Sequence, residues 1–240
     1  MAATKDVYAH HISQQFNLEL EEVKNHLLEM GGQVESQLSS SIQALVAADS
    51  ELAQTVCLND QQINNLEIDI DEECARILAR RQPAASDLRL ILGISKIITD
   101  LERIGDESKR IATRAIKLAE NGQAPKGYVE VRHISETVRQ MVNQSLDAFA
   151  RLDVALALKV AKTDAQVDME YATAIRELIT YMMEDPRSIG RVMDIIWSLR
   201  SLERIGDHAR NIAEHVIYLV QGKDVRHVSY DQMEAQVHDG

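Results

Sequence analysis

The stretch Leu101-Glu102-Arg103-Ile104-Gly105-Asp106 returns unchanged as Leu202-Glu203-Arg204-Ile205-Gly206-Asp207. Each copy lies inside a long run whose apolar residues recur at three- and four-residue intervals, the period of one helix face. Around the first copy Ile91, Ile94, Ile97, Ile98, Ile104, Ile111 and Ile116 keep that spacing. A repeated motif in two such settings predicts one helical unit present twice.

Working outward from the motif, the two halves align by eye. Asp49-Ser50-Glu51-Leu52-Ala53 answers Asp153-Val154-Ala155-Leu156-Ala157, and Pro83 answers Pro186. The first half carries a few extra residues around Ala84–Arg89. A first helix is predicted from Phe16, with Asn17 as its N-cap and Leu20, Val23, Leu27, Met30, Val34, Ile42 and Leu45 on its apolar stripe. A second runs from Ser50 to about Arg81, where Pro83 stops it, and a third starts near Ser86. Asn121-Gly122 followed by Pro125 and Gly127 is the strongest break. A fourth helix is predicted over Tyr128–Arg151 and a fifth over Val154–Glu184. A sixth opens at Pro186 and ends at Gly222. The fold class expected is all-α, two similar three-helix bundles in tandem. Residues 1–124 form the first, 125–222 the second, and 223–240 a flexible polar tail with room for a short helical turn. Helices of about thirty residues are roughly 45 Å long and suit near-antiparallel packing.

Composition narrows the function. Of 240 residues only 4% are aromatic, so the core is aliphatic; ten Gly and three Pro are too few for a turn-rich β protein. A formal net charge of -12 speaks against nucleic-acid binding, which needs clustered cations. No apolar run is long enough to span a membrane, and the first residues (MAATKDVYAHHIS) read as neither signal nor transit peptide. Cys57 and Cys74 fall on one helix roughly 25 Å apart, too far for a disulfide, so a reducing cytoplasm is expected.

The chemistry lies in acids spaced four apart. Glu102 with Asp106, Glu203 with Asp207, and Asp164 with Asp168 each stack on one helix face, where like charges oppose helix formation. The place of Asp164/Asp168 is taken on the second helix by Asp60 and Asn64, one acid having become an amide. Two readings stay open. These are solvated flank charges partly neutralised by Arg103, Lys109, Arg204 and Arg210, or they face one another across bundle grooves and hold a cation. An all-oxygen set favours a hard divalent ion, with iron admissible. His208 and His215 flank the second motif, and a helix histidine there is more often solvated than a ligand. The paired Glu-x-x-His of di-iron bundles is absent; Glu130-x-x-His133 stands alone. Neither a Gly-rich phosphate loop nor a Gly-x-Ser-x-Gly elbow occurs. Gly31, Gly32, Gly105 and Gly206, all inside helices, predict close helix approach. Trp197 fits core or contact surface equally, and Tyr181 with Met182-Met183 reads as an apolar cap.

FNLELEEV and MGG in the first helix, RRQPAASDLRLILGISKIITDLERIGD in the middle, YMMEDPR, and SLERIGDHARNIAE near the end carry a resemblance to the PhoU family over nearly the whole chain. The resemblance implies a cytoplasmic homodimer, peripheral to the inner membrane through its partners. Those partners are the ATPase subunit of a phosphate ABC transporter and a membrane sensor histidine kinase. The implied function is a non-enzymatic adaptor that restrains phosphate uptake and holds the phosphate-starvation response off. It also implies metal ions, divalent or iron-type, on Glu102, Asp106, Glu203, Asp207, Asp164, Asp168 and Asp60, with Asn64 departing from the pattern. The alternative class is a carboxylate-bridged metal protein with an enzymatic or storage role. A third is a ligand-free helical scaffold.

Overall fold

The computed structural model describes the backbone of residues 3–83, 85–124, 126–226 and 228–238. Seven helices follow in order: α1 (Ala3–Ala47), α2 (Ser50–Arg81), α3 (Ala85–Asn121), α4 (Tyr128–Arg151), α5 (Val154–Glu184), α6 (Ile189–Gln221) and α7 (Tyr230–His238), with a 3-10 turn at Pro186–Ser188 leading into α6. No strand occurs among the described residues, and no described helix is long and apolar enough to cross a membrane.

The duplication is visible in the hairpins. Asp49 accepts a hydrogen bond from Leu52 N at 2.9 Å and Asp153 from Leu156 N at 3.0 Å, so each supplies an oxygen to an orphan N–H of the new helix. The residues just before them, Ala48 and Leu152, both have φ 53°. This left-handed turn reverses the chain within two residues at a cost of about 1–2 kcal/mol. Gly127 enters α4 at φ 105°, and a Cβ there would lie 2.4 Å from Ile195 Cγ2; only glycine fits.

Three helices form each bundle: α2 packs on α1 and α3, and α5 on α4 and α6. Val23, Leu27, Val34, Ile91, Ile97 and Ile104 fill the first core, and Val131, Val138, Phe149, Leu199 and Ile205 the second. The bundles lie side by side, because the most extensive helix pair in the molecule is α3 with α6, and α1 also touches α4. Pairs along α3/α6 run in opposite directions: Asp100 with His208 at 2.8 Å, Glu107 with Arg204 at 3.1 Å, and Arg114 with Asp194 at 3.1 Å. Across α1/α4, a Cβ on Gly31 would sit 2.7 Å from Leu146 Cδ2, so this glycine permits the bundle contact; Gly32 has nothing within 4 Å and has no such role.

Three expectations are corrected. Asn17 lies inside α1, which begins at Ala3, and is therefore not an N-cap. Within the expected flexible tail, residues 230–238 form α7. Met233 is fully buried, and Lys223 Nζ donates to Gln236 O at 2.6 Å. Polar sequence hid this because one apolar face of a nine-residue helix offers too few residues to show a period. The sixth helix begins at Ile189 after the Pro186 turn. The break proposed at Pro125 and the extra residue at Ala84 lie outside the described residues.

Candidate functional site

Each LERIGD copy turns its acids into a groove against the preceding long helix. In the second bundle the groove lies between α5 and α6. Asp164 is buried, and Arg210 Nη1 donates to its Oδ2 at 3.1 Å while Arg210 Nε reaches Glu214 Oε1 at 2.9 Å. Glu203 is 9% exposed; Arg200 caps its Oε1, and its Oε2 is buried with no hydrogen-bond partner among the described residues. The Arg200 guanidinium also lies over the Tyr171 ring, 6.0 Å from its centroid. Asp168 and Asp207 keep solvent contact.

Electrostatics ties these four acids together. Burial first, then the Asp207 and Asp168 charges, push the Glu203 carboxyl up to about 7 against the pull of Arg200. Asp207 is raised by burial and by Asp168, and Asp164 by burial against the pull of Arg210. Carboxylates sharing a poorly solvated groove hold protons more tightly. The sequence reading that Asp164/Asp168 face Glu203/Asp207 thus matches the geometry.

The first groove, between α2 and α3, is built from different side chains on the same plan. Asp60 is 1% exposed and takes hydrogen bonds from Gln37 Nε2 at 2.9 Å and Lys109 Nζ at 2.8 Å. Lys109 therefore stands where Arg210 stands in the second half, and Gln37 where Met141 approaches Gly206. Gln37 Nε2 also reaches the carbonyl of Gly105 at 3.1 Å. Glu102 and Asp106 are half-buried, and Asn64 Oδ1 is buried without a partner among the described residues. Sequence reasoning missed Glu67, which faces this groove from α2. Burial raises its carboxyl, Asp71 and Asp106 add to the rise, and a bond with Thr99 opposes it. Glu102 is raised by burial, then by Asp106 and Glu67. Glu67 occupies the place of Tyr171, so the acid lost at Asn64 reappears one turn along the same helix. The apolar pattern marks that turn only as helical surface, which is why the signal was weak.

Both grooves offer oxygen donors alone, which suit a hard cation in kind and charge. The orphaned Asn64 and Glu203 oxygens are groups that a cation would satisfy. Convergence is incomplete: among the described residues no three His, Cys, Asp or Glu side chains meet closely enough to hold a metal ion. Asp60 and Asp164 are already engaged by Lys109 and Arg210.

His208 and His215 depart from the solvated reading. His208 Nδ1 lies 2.8 Å and His215 Nε2 3.5 Å from the Asp100 carboxylate, which also accepts from Asn211 Nδ2 at 3.1 Å. Burial alone would raise Asp100, but these hydrogen bonds outweigh it and hold the carboxyl below its ordinary value. The cluster joins α3 to α6 and adjoins the second groove, since His208 and Asn211 line a cavity together with Asp207, Arg210 and Glu214. Trp197 is half-exposed, so it is not core; Tyr181 and Met182 pack on the core while Met183 is exposed. Both cysteines are free, and burial pushes the Cys74 thiol up to about 12.

Comparison with known sequences and structures places this architecture. The PhoU domain matches twice, at residues 27–115 and 131–216. The chain is 66% identical to the phosphate-specific transport system accessory protein PhoU homolog of Pseudomonas putida, over 97% of this chain and 91% of that protein. It is 45% identical to the PhoU accessory protein of Escherichia coli, over 93% and 92%. The crystal structure of PhoU from Pseudomonas aeruginosa superposes with a TM-score of 0.85 at 66% identity, covering 87% of this chain and all of that one. The phosphate transport system regulatory protein PhoU from Streptococcus pneumoniae superposes at 0.81 with 32% identity, over 88% and 99%.

Proposed function

This chain belongs to the PhoU family, and on that premise we propose that it is a non-enzymatic regulator of phosphate uptake and phosphate signalling. It works in the cytoplasm as a homodimer. It links the ATPase subunit of a phosphate transporter to a membrane sensor histidine kinase and keeps the starvation response off while phosphate is plentiful. The carrying observation is near-complete coverage, at 66% identity, of a protein named as a transport-system accessory. The names of the relatives fit the non-enzymatic reading, since they are given as accessory and regulatory proteins.

Cation binding belongs to this proposal. Glu203, Asp207 and Asp168 would hold an ion in the second groove, and Glu102, Asp106, Glu67 and Asn64 one in the first, once the side chains draw closer than they stand in this structure. When bound, such an ion supplies positive charge between two helices. The chain's own residues do the rest: Arg210 on Asp164 and Lys109 on Asp60 tie together the two helices of each groove, and their displacement would shift the helix faces offered to partners.

Deleting the gene and measuring alkaline phosphatase in phosphate-rich medium tests the role. Derepressed phosphatase is expected; continued repression contradicts the regulator. Kinase binding measured with and without chelator tests the cation's part, and unchanged affinity after confirmed metal loss removes it.

A further inference from the structure

One face of α6 presents Arg204, His208 and Asn211, spaced four and three residues apart, and the loop after that helix brings Arg226 back to them. With Asp207 and Arg210 they line a cavity of about 420 Å³. Three guanidinium groups thus meet in a chain whose formal net charge is -12. The loop is anchored where it does so. Val225 is fully buried, Lys223 Nζ donates to Gln236 O at 2.6 Å, and Gln221 Nε2 donates to Val237 O at 3.2 Å.

Each guanidinium faces the cavity while its main counter-ion lies off it. Arg204 Nε is 3.1 Å from Glu107 Oε1, and Arg210 Nη1 is 3.1 Å from Asp164 Oδ2; both acids are buried and neither lines the cavity. Arg226 grips Asp224 through Nε at 2.9 Å and Nη2 at 2.6 Å, and Asp224 is likewise outside the lining. An arginine has more N–H donors than one carboxylate can take, so donors remain for a ligand. Acids that fix guanidinium groups in advance are what an oxyanion site needs. His208 follows the same plan. Its Nδ1 is held by Asp100 at 2.8 Å, which leaves Nε2 on the opposite side of the ring. In the first half Glu107 stands at the place of His208, and Arg110, at the place of Asn211, donates to that acid at 2.8 Å. The site is a property of the second half.

We infer that this cavity binds inorganic phosphate. Arg204, Arg210 and Arg226 hold the charged oxygens, and His208 and Asn211 close one wall. Asp207, the exposed acid of the lining, selects the ion. Near neutral pH the phosphate dianion keeps one O–H, whereas sulfate and the dianion of a phosphate ester have none. Asp207 accepts that hydrogen; against sulfate it meets a bare oxygen of like charge, and a site built around a hydroxyl rejects the ligand that lacks it. This inference rests on the regulator reading for its purpose and deepens it, since the chain itself then registers that phosphate is plentiful.

Equilibrium dialysis of the full-length chain against radiolabelled orthophosphate tests this, with chelator present so that no metal bridges the ion. Saturable binding at millimolar phosphate or below is expected. Arg204→Gln and Arg226→Gln should each weaken it tenfold or more. Glu107 keeps Arg110 in the first variant and Asp224 is exposed in the second, so both should fold, as circular dichroism checks. Sulfate should compete at least tenfold less well than phosphate, and Asp207→Asn should erase that preference. Arg139→Gln, an exposed cation on α4, should change nothing. Wild-type protein that takes up no phosphate, or binding that survives both arginine substitutions, overturns the site. Equal competition by sulfate, or adenosine monophosphate outcompeting orthophosphate, overturns the assignment to the free phosphate ion. None of these outcomes touches the regulator reading, which stands or falls by phosphatase repression in the deletion strain.

Discussion

Lys109 Nζ lies 2.8 Å from Asp60 Oδ2, and its counterpart Arg210 Nη1 lies 3.1 Å from Asp164 Oδ2. Both bonds bridge the two helices of a groove, and both hold a buried carboxylate that water cannot reach. Each repeat has therefore kept an internal cation opposite its deepest acid, through different residue types.

Removing that cation exposes its worth. Lys109→Met leaves Asp60 buried with the Gln37 amide as its remaining partner. Breaking a fully buried pair costs roughly 3–5 kcal/mol; Lys109 is 43% exposed, so water shares the load and about 2 kcal/mol is expected. Adding Asp60→Asn should recover most of it, since no buried charge then remains. Urea unfolding of the single and double variants checks both; a double variant as weak as the single one contradicts the pairing.

The Glu203 carboxyl sets a pH dependence. Its folded value, about 7, lies above the ordinary 4.5, so the folded state holds the proton more tightly than the unfolded chain. Stability linked to this group is greatest below the unfolded value and declines as pH rises through 7. Glu203→Gln should then raise the thermal midpoint at pH 8 and change it little at pH 5, in chelator throughout. A gain of equal size at both pH values argues against a titrating Glu203.

Asp100 works with the opposite sign. Its depressed carboxyl contributes stability above the ordinary carboxylate range, lost as pH falls through its folded value. Asp100→Asn would set an amide against His208 and Asn211 donors, at a cost of about 2 kcal/mol near neutral pH. The difference from wild type should shrink as acid protonates Asp100. Because this cluster joins α3 to α6, protease cleavage at the inter-bundle linker should quicken as well.

Gly32 and Gly31 make a backbone test. Gly32→Ala meets nothing within 4 Å and should stabilise α1 by about 0.5–1 kcal/mol. Gly31→Ala drives its Cβ to 2.7 Å from Leu146 Cδ2, so displacing Leu146 offsets the helix gain. Equal gains from both would mean that α1 and α4 do not approach as described.

For the grooves, Mn²⁺ titration should register Asp207→Asn more strongly than Asp60→Asn. Asp207 has free solvent access, whereas Lys109 and Gln37 already occupy Asp60. Equal loss from the two substitutions contradicts this order.

Much of the molecule was legible in one dimension. Helix periodicity, the matching segments Asp49–Ala53 and Asp153–Ala157, and the repeated LERIGD determined six long helices in two matching sets, because those signals are local and act within a few residues of chain. The stacking of Glu102 with Asp106 and Glu203 with Asp207 followed from helical pitch alone. Whether these acids are solvated flanks or, with Asp164 and Asp168, face one another across a groove did not follow. Glu67 joins the first groove, Lys109 reaches Asp60, and Arg210 reaches Asp164, through distances fixed by how α2 meets α3 and α5 meets α6. The same holds for His208 and His215, which the sequence left as surface histidines until packing of α3 on α6 buried them against Asp100. Periodicity records which face of a helix is apolar, whereas the partner of a buried charge is chosen by tertiary contact, where loss of water makes an unpaired carboxylate too costly to leave alone.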